Sequence, residues 1–178
     1  MDYELGNILI DSGMISKKVS DLASDVARHY SGKEFVAVGI LKGAIFFLAD
    51  LVRALPKDSR VKIDFMAVSS YGASTKSSGI VKIVKDLDTD IKGKDVLLVE
   101  DILDTGLTLS YLQELLRGRA PKSLNTCVLL DKPDRRRVLV DVDFKGFSIP
   151  DEFVVGYGLD YSGYWRNLPD IHVARAKA

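Results

Sequence analysis

Three carboxylates within five residues, Glu100, Asp101 and Asp104, are followed at once by Thr105-Gly106-Leu107-Thr108. Ionised carboxylates only accept hydrogen bonds, so they suit sugar hydroxyls or a hard cation such as Mg2+ and repel a phosphate unless such a group lies between. The residues after them have the opposite character. Thr105 and Thr108 carry hydroxyl donors, Gly106 permits close approach, and Leu109, Leu112, Leu115 and Leu116 recur at helical spacing, so the turn opens a helix. A helix start presents unpaired N–H groups and the positive end of its dipole to an anion. Together these residue types point to a phosphorylated sugar handled with a metal. Competing motifs fail on spacing or context. A phosphoryl-accepting D-x-D-x-T needs acids two apart, whereas Asp101 and Asp104 are three apart; a prenyl-type acid-acid-x-x-Asp belongs on a helix; and no G-x-x-x-x-G-K-[ST] occurs.

The acids are positioned by Val96–Val99, an apolar run that reads as a central parallel strand covered on both faces, with Glu100 and Asp101 at its carboxyl end. Phe35–Leu41 reads as a second buried strand, and a strongly apolar helix from Ile45 to Leu55 stops before Pro56. The turn between them puts Lys42 and Gly43 at another strand's carboxyl end, placed for a second phosphate group. Leu124–Leu130 forms a further strand that delivers Lys132 to the same edge. Val61–Val68 and Ile80–Val84 are strands flanking a small, polar stretch that includes Ser70 and Tyr71. Ser16–Tyr30 has one apolar helical face, with Ser16 as its N-cap and Gly32 beyond its end. Alternating strands and helices of this kind predict an α/β fold with a mostly parallel central sheet.

Composition excludes other classes. The 178 residues suit one domain spanning 1–178, with 47% hydrophobic and 28% charged residues, and 25 basic residues balance 25 acidic ones. No general field attracts nucleic acid, and Arg135-Arg136-Arg137 reads as a solvated face. No apolar run approaches membrane-spanning length and no signal peptide is apparent, so no membrane partner is expected and the cytoplasm is the expected compartment. Cys127, in an apolar run, reads as a buried inert thiol, and His29 and His172 as histidines without a catalytic role.

The thirteen residues Val96–Thr108 resemble the phosphoribosyl-diphosphate signature of the type I phosphoribosyltransferases. Ile149–Tyr161, reading I-P-D-E-F-V-V-G-Y-G-L-D-Y, resembles the C-terminal hood of the hypoxanthine-guanine members. Leu41-Lys42-Gly43 resembles their diphosphate loop, although Ala44 stands where members often carry a second glycine. The resemblance implies a small hood, formed mainly by about 131–170 with the N-terminal segment, and a mobile loop based at Ser70-Tyr71 that closes over the reacting centre. It implies transfer of phosphoribose from 5-phosphoribosyl 1-diphosphate to a 6-oxopurine. Phosphoribosyl and phosphate groups would meet Glu100, Asp101, Asp104, Thr105, Gly106, Leu107, Thr108, Lys42, Gly43 and Arg166. Purine would meet Lys132, Phe153, Val154 and Asp160, and Mg2+ would meet Glu100, Asp101 and Asp160. Asp104 is the expected base, and Lys132 the expected donor to the 6-oxo group. Tyr157, Tyr161, Tyr164 and Trp165 are expected in the core. A homo-oligomer, dimer or tetramer, would fit the family. A transferase for xanthine or another base, and a non-catalytic sensor of phosphoribosyl diphosphate, are the alternatives.

Overall fold

Strands that are apolar on both faces form the centre of the molecule, because helices cover both sides of them. The computed structural model describes residues 3–70 and 81–177. Of the loop expected to close over the centre, Tyr71 and the residues to Gly79 therefore lie outside the described residues, and Ser70 is described only as strand backbone. In chain order the elements are β1 (Tyr3–Ile10), α1 (Ser12–His29), β2 (Glu34–Leu41), α2 (Ile45–Ala54), β3 (Arg60–Ser70) and β4 (Val81–Lys85). They continue as β5 (Asp95–Leu103), α3 (Leu107–Arg117), β6 (Ser123–Asp131), β7 (Phe144–Ser148), β8 (Val154–Val155) and β9 (Ile171–Ala176).

Six strands form the main sheet in the order β4-β3-β2-β5-β6-β7, with every neighbour parallel except β4 against β3. Alternate residues of the central strands face opposite layers. Ala37, Leu97 and Val99 pack with Ile15, Val19 and Leu22 of α1 and Phe47, Leu48 and Leu51 of α2. Val36, Val38, Val96 and Leu98 pack with Leu109, Leu112 and Leu116 of α3. The chain leaves β2 toward β3 on one side and leaves β5 toward β6 on the other, so the crossovers diverge between β2 and β5. Such a switch point opens a crevice at the carboxyl ends of its two strands. The register Gly39↔Val99 sets the Leu41–Gly43 turn beside Glu100 and Asp101.

A second, antiparallel sheet, β1-β9-β8, draws on Tyr3–Ile10 and Ile171–Ala176, segments whose weak periodicity predicts no strand. Three other readings need correction. Helix α1 starts four residues before Ser16, because the carboxylate of Asp11 accepts the Met14 N–H at 2.8 Å and lets buried Ile15 join the apolar face. The arginine run is not a plain solvated face. Arg136 is largely buried, forms a short ion pair with Asp131 and donates to the carbonyl oxygen of Asp104 at 3.2 Å. Tyr164 is 57% exposed, since Ser162 and Gly163, both at positive φ, reverse the chain and turn it outward. Cys127 is fully buried. Among the described residues no helix is long and apolar enough to cross a membrane.

Candidate active site

A cleft of about 360 Å³ opens at the switch point. It gathers Lys42 and Gly43 from the end of β2, Glu100 and Asp101 from β5, Asp104 and Thr108 from the turn into α3, and Lys132 from the end of β6. The loop and strand of the second sheet add Phe153, Val154, Asp160 and Arg166. Thr105, Gly106 and Leu107 lie in the turn between two lining residues but do not themselves line the cleft.

The acid pair is the most strained part electrostatically. Oε2 of Glu100 is buried without a hydrogen-bond partner, and burial, then the charge of Asp101, pushes its carboxyl well above the usual carboxylate range. Asp101 is 9% exposed, and burial foremost pushes it up to about 6, against the help of the Ile102 N–H at 2.7 Å and the Arg166 charge. An orphaned carboxylate oxygen beside a second carboxylate asks for a cation or for hydroxyl donors, so the residues fit a hard divalent ion. Among the described residues no three His, Cys, Asp or Glu side chains gather as a cage. A cation held here would therefore take its remaining ligands from water or substrate, the habit of Mg2+.

This arrangement costs stability with a definite sign. Burial pushes the Asp101 carboxyl from an ordinary 3.8 up to about 6, so between those values folding favours its protonated form. Stability then falls as pH rises through that window, and the loss is complete above it. In the presence of a chelator, Asp101→Asn is expected to melt higher than wild type at pH 8 by roughly 5 °C, with the gap closing near pH 4. A melting difference independent of pH would contradict this account.

Gly43 approaches the acid pair so closely that a Cβ placed on it would overlap Oδ2 of Asp101. Asp101 is short and pinned by its bond to Ile102, so it cannot simply swing aside. Gly43→Ala is expected to weaken donor affinity by about 10- to 30-fold, since a shift of an ångström at such a site costs that order or more. Steady-state KM values for the two substrates would show it, and an unchanged donor KM would mean that Asp101 relocates freely.

The turn into α3 needs its glycine. Gly106 has φ +86°, and a Cβ there would lie 2.6 Å from the Val138 carbonyl oxygen. Thr105 Oγ1 accepts from the Leu107 N–H at 3.4 Å, and the Thr105 carbonyl accepts from the N–H groups of Arg137 and Val138. The hydroxyl proton of Thr105 remains available to donate outward. Arg135 Nε lies 3.0 Å from Oδ1 of Asp104, yet that oxygen receives no aligned hydrogen bond. The pairing is one of charge and leaves the oxygen's lone pairs to another donor. Lys132 is 5% exposed; burial lowers the pKa of its ammonium, with Asp104 and then Asp151 acting in the other direction.

On the opposite wall, Phe153 is 43% exposed and its ring lies 5.3 Å from Tyr3 and 6.0 Å from Tyr161. Asp160 accepts from the Gly163 N–H at 2.6 Å and pairs with Arg166 at 2.5 Å, so Arg166 reaches the cleft already charge-matched. Sequence reasoning missed Arg135 and Arg136. The available signal was Pro133 after Lys132, which starts a 3-10 turn at Pro133–Arg135 and folds the arginines back toward Asp104.

Known proteins resemble this chain in sequence and in fold. The phosphoribosyl transferase domain family matches residues 8–162. The hypoxanthine-guanine phosphoribosyltransferase of Aquifex aeolicus is 54% identical over 167 residues, covering 93% of this chain and 93% of that protein. Its counterpart in Bacillus subtilis is 50% identical over 175 residues, covering 98% of this chain and 96% of that protein. The crystal structure of a Bacillus anthracis hypoxanthine-guanine phosphoribosyltransferase superposes with a TM-score of 0.90 at 43% identity, over 98% of this chain and 99% of that one. With its switch-point cleft, its acid pair and its helix-opening turn, the chain belongs to the phosphoribosyltransferase family.

Proposed function

We propose that this enzyme transfers phosphoribose from 5-phosphoribosyl 1-diphosphate to hypoxanthine or guanine, giving IMP or GMP and diphosphate, a purine salvage reaction. The observation that carries the reading is the meeting, in one cleft, of an acid-rich turn opening a helix with a buried lysine and an exposed phenylalanine on the facing wall. The first suits a phosphorylated sugar, the second a flat base bearing an oxo group.

Breaking the bond at the anomeric carbon puts positive charge on the ribose and negative charge on the departing diphosphate. Lys42, the backbone at Gly43 and Arg166 would receive the leaving group, and the Thr105–Thr108 turn would hold the 5-phosphate. Glu100 and Asp101 would hold ribose hydroxyls or, with Asp160, the metal. Bound Mg2+ would supply charge neutralisation at the diphosphate. Asp104, which lines the cleft and is paired by charge with Arg135, would accept the proton that the purine nitrogen loses. Lys132 would donate to the 6-oxo group while Phe153 stacks on the ring.

A spectrophotometric assay with hypoxanthine, guanine, xanthine and adenine, with and without Mg2+, tests the reading. Turnover of hypoxanthine or guanine that depends on the metal supports it; absence of turnover with every base would favour a phosphoribosyl-diphosphate sensor. We place the enzyme in the cytoplasm as a homo-oligomer of two or four chains. Exposed Leu5 and Ile8 on the edge strand β1 support association, since an apolar strand edge tends to be covered, and light scattering checks it.

A further inference from the structure

Asp50 and Tyr157 lie outside the reacting centre but join the two pieces of backbone that frame its diphosphate side. Tyr157 is 8% exposed, and its hydroxyl donates to Oδ2 of Asp50 across 2.7 Å. Asp50 belongs to α2, the helix that follows directly from the Lys42-Gly43 turn. On the other side, Tyr157 sits at φ +49°, and its N–H donates to the Leu168 carbonyl at 2.8 Å. The next residue, Gly158, at φ +102°, packs so tightly on the Gly43 carbonyl that a Cβ there would overlap it. Gly158 also donates its N–H to the Arg166 carbonyl at 3.0 Å and accepts from Arg166 Nη1 at 2.6 Å.

One chain of contacts thus runs from Asp50 through Tyr157 to Gly158, and from there to both Gly43 and Arg166. The ring of Tyr157 fills the core as a phenylalanine would; what the hydroxyl adds is a fixed distance between α2 and the backbone that presses on Gly43. A non-glycine residue at positive φ persists only where its surroundings hold it, and the bond to Asp50 is one such hold. We propose that Asp50 and Tyr157 are positioning residues that keep the Lys42-Gly43 turn and Arg166 in the arrangement that receives diphosphate. The inference rests on the reading of that turn as the diphosphate site.

Without the bond, the competent arrangement is one of several, and apparent affinity falls in proportion to its population. For Tyr157→Phe, a competent fraction of about one in ten raises the KM for phosphoribosyl diphosphate about tenfold. The KM for hypoxanthine stays at the wild-type value, and Tm falls by no more than about 4 °C, the cost of a single hydrogen bond in a chain of this size. Asp50→Ala behaves in the same way, whereas Asp50→Asn keeps an acceptor and restores the donor KM. Calorimetric titration with inorganic diphosphate and Mg2+ reads the same loss without turnover. An unchanged donor KM and diphosphate affinity in Tyr157→Phe overturns the proposal alone, as does an equal rise in both KM values or a failure of Asp50→Asn to rescue. Wild-type protein that binds no diphosphate overturns the reading of the turn and the proposal together.

Discussion

Adenine is expected to be used with a kcat/KM on the order of 10^4 below that of hypoxanthine, the scale on which a site built for one hydrogen-bonding pattern rejects the other. The reason lies in Lys132. An ammonium has three N–H donors and no acceptor, so it matches a 6-oxo oxygen and faces a 6-amino group donor to donor. The residue is 5% exposed, so water cannot readily intervene to repair the mismatch. Burial lowers the pKa of this ammonium, and the charges of Asp104 and Asp151 oppose that shift. Phe153 offers no discrimination, since both purines present the same flat face. The measurement is kcat/KM for hypoxanthine, guanine and adenine on one preparation. Adenine within about tenfold of hypoxanthine, far short of that rejection, would show that Lys132 does not read the base.

Asp104→Asn is expected to lower turnover by about 100-fold or more, the usual contribution of a positioned base. The variant keeps the shape of the turn, whose geometry depends on hydrogen bonds to the Leu103, Asp104 and Thr105 carbonyls from the Lys132 N–H, the Arg136 guanidinium and the Arg137 N–H rather than on the Asp104 carboxylate. Donor binding should therefore persist while kcat falls. The neighbouring Arg135 loses its charge partner, but it is 45% exposed as a side chain and can turn to water or to Asp151 at 3.3 Å. Near-normal turnover, measured at saturating substrates, would mean that the purine proton leaves by another route.

What was legible in the sequence followed from local physics. The switch-point strands β2 and β5 are continuous apolar runs, and their helices carry clear apolar faces, so the strand ends that carry Lys42, Glu100 and Asp101 could be placed from periodicity and a thirteen-residue motif. The helix start at Asp11 was obscured because Ser16, also a good cap, lies nearer the strongest periodic stretch. The second sheet was harder for a physical reason. Its strands are short or half-buried, β8 has two residues, and its connections use six left-handed positions between Gly156 and Trp165, a density that erases periodicity. Arg136 escaped for another reason: its burial by folding back across Asp104 is a tertiary event that a three-residue charge run does not announce.

The pairing of β1 with β9 carries a consequence for how the enzyme comes into being. His172 and Gly6, neighbours in that sheet, are 166 residues apart in sequence, whereas β2, β5 and β6 with their helices close over much shorter loops. Closing a long loop costs more chain entropy and slows the contacts that depend on it. The wall of the cleft built on the main sheet, from Lys42 and Gly43 to Lys132, can thus form while the chain is still being made. The wall contributed with the second sheet, including Phe153 and Arg166, must wait until β9 has been synthesised and has found β1.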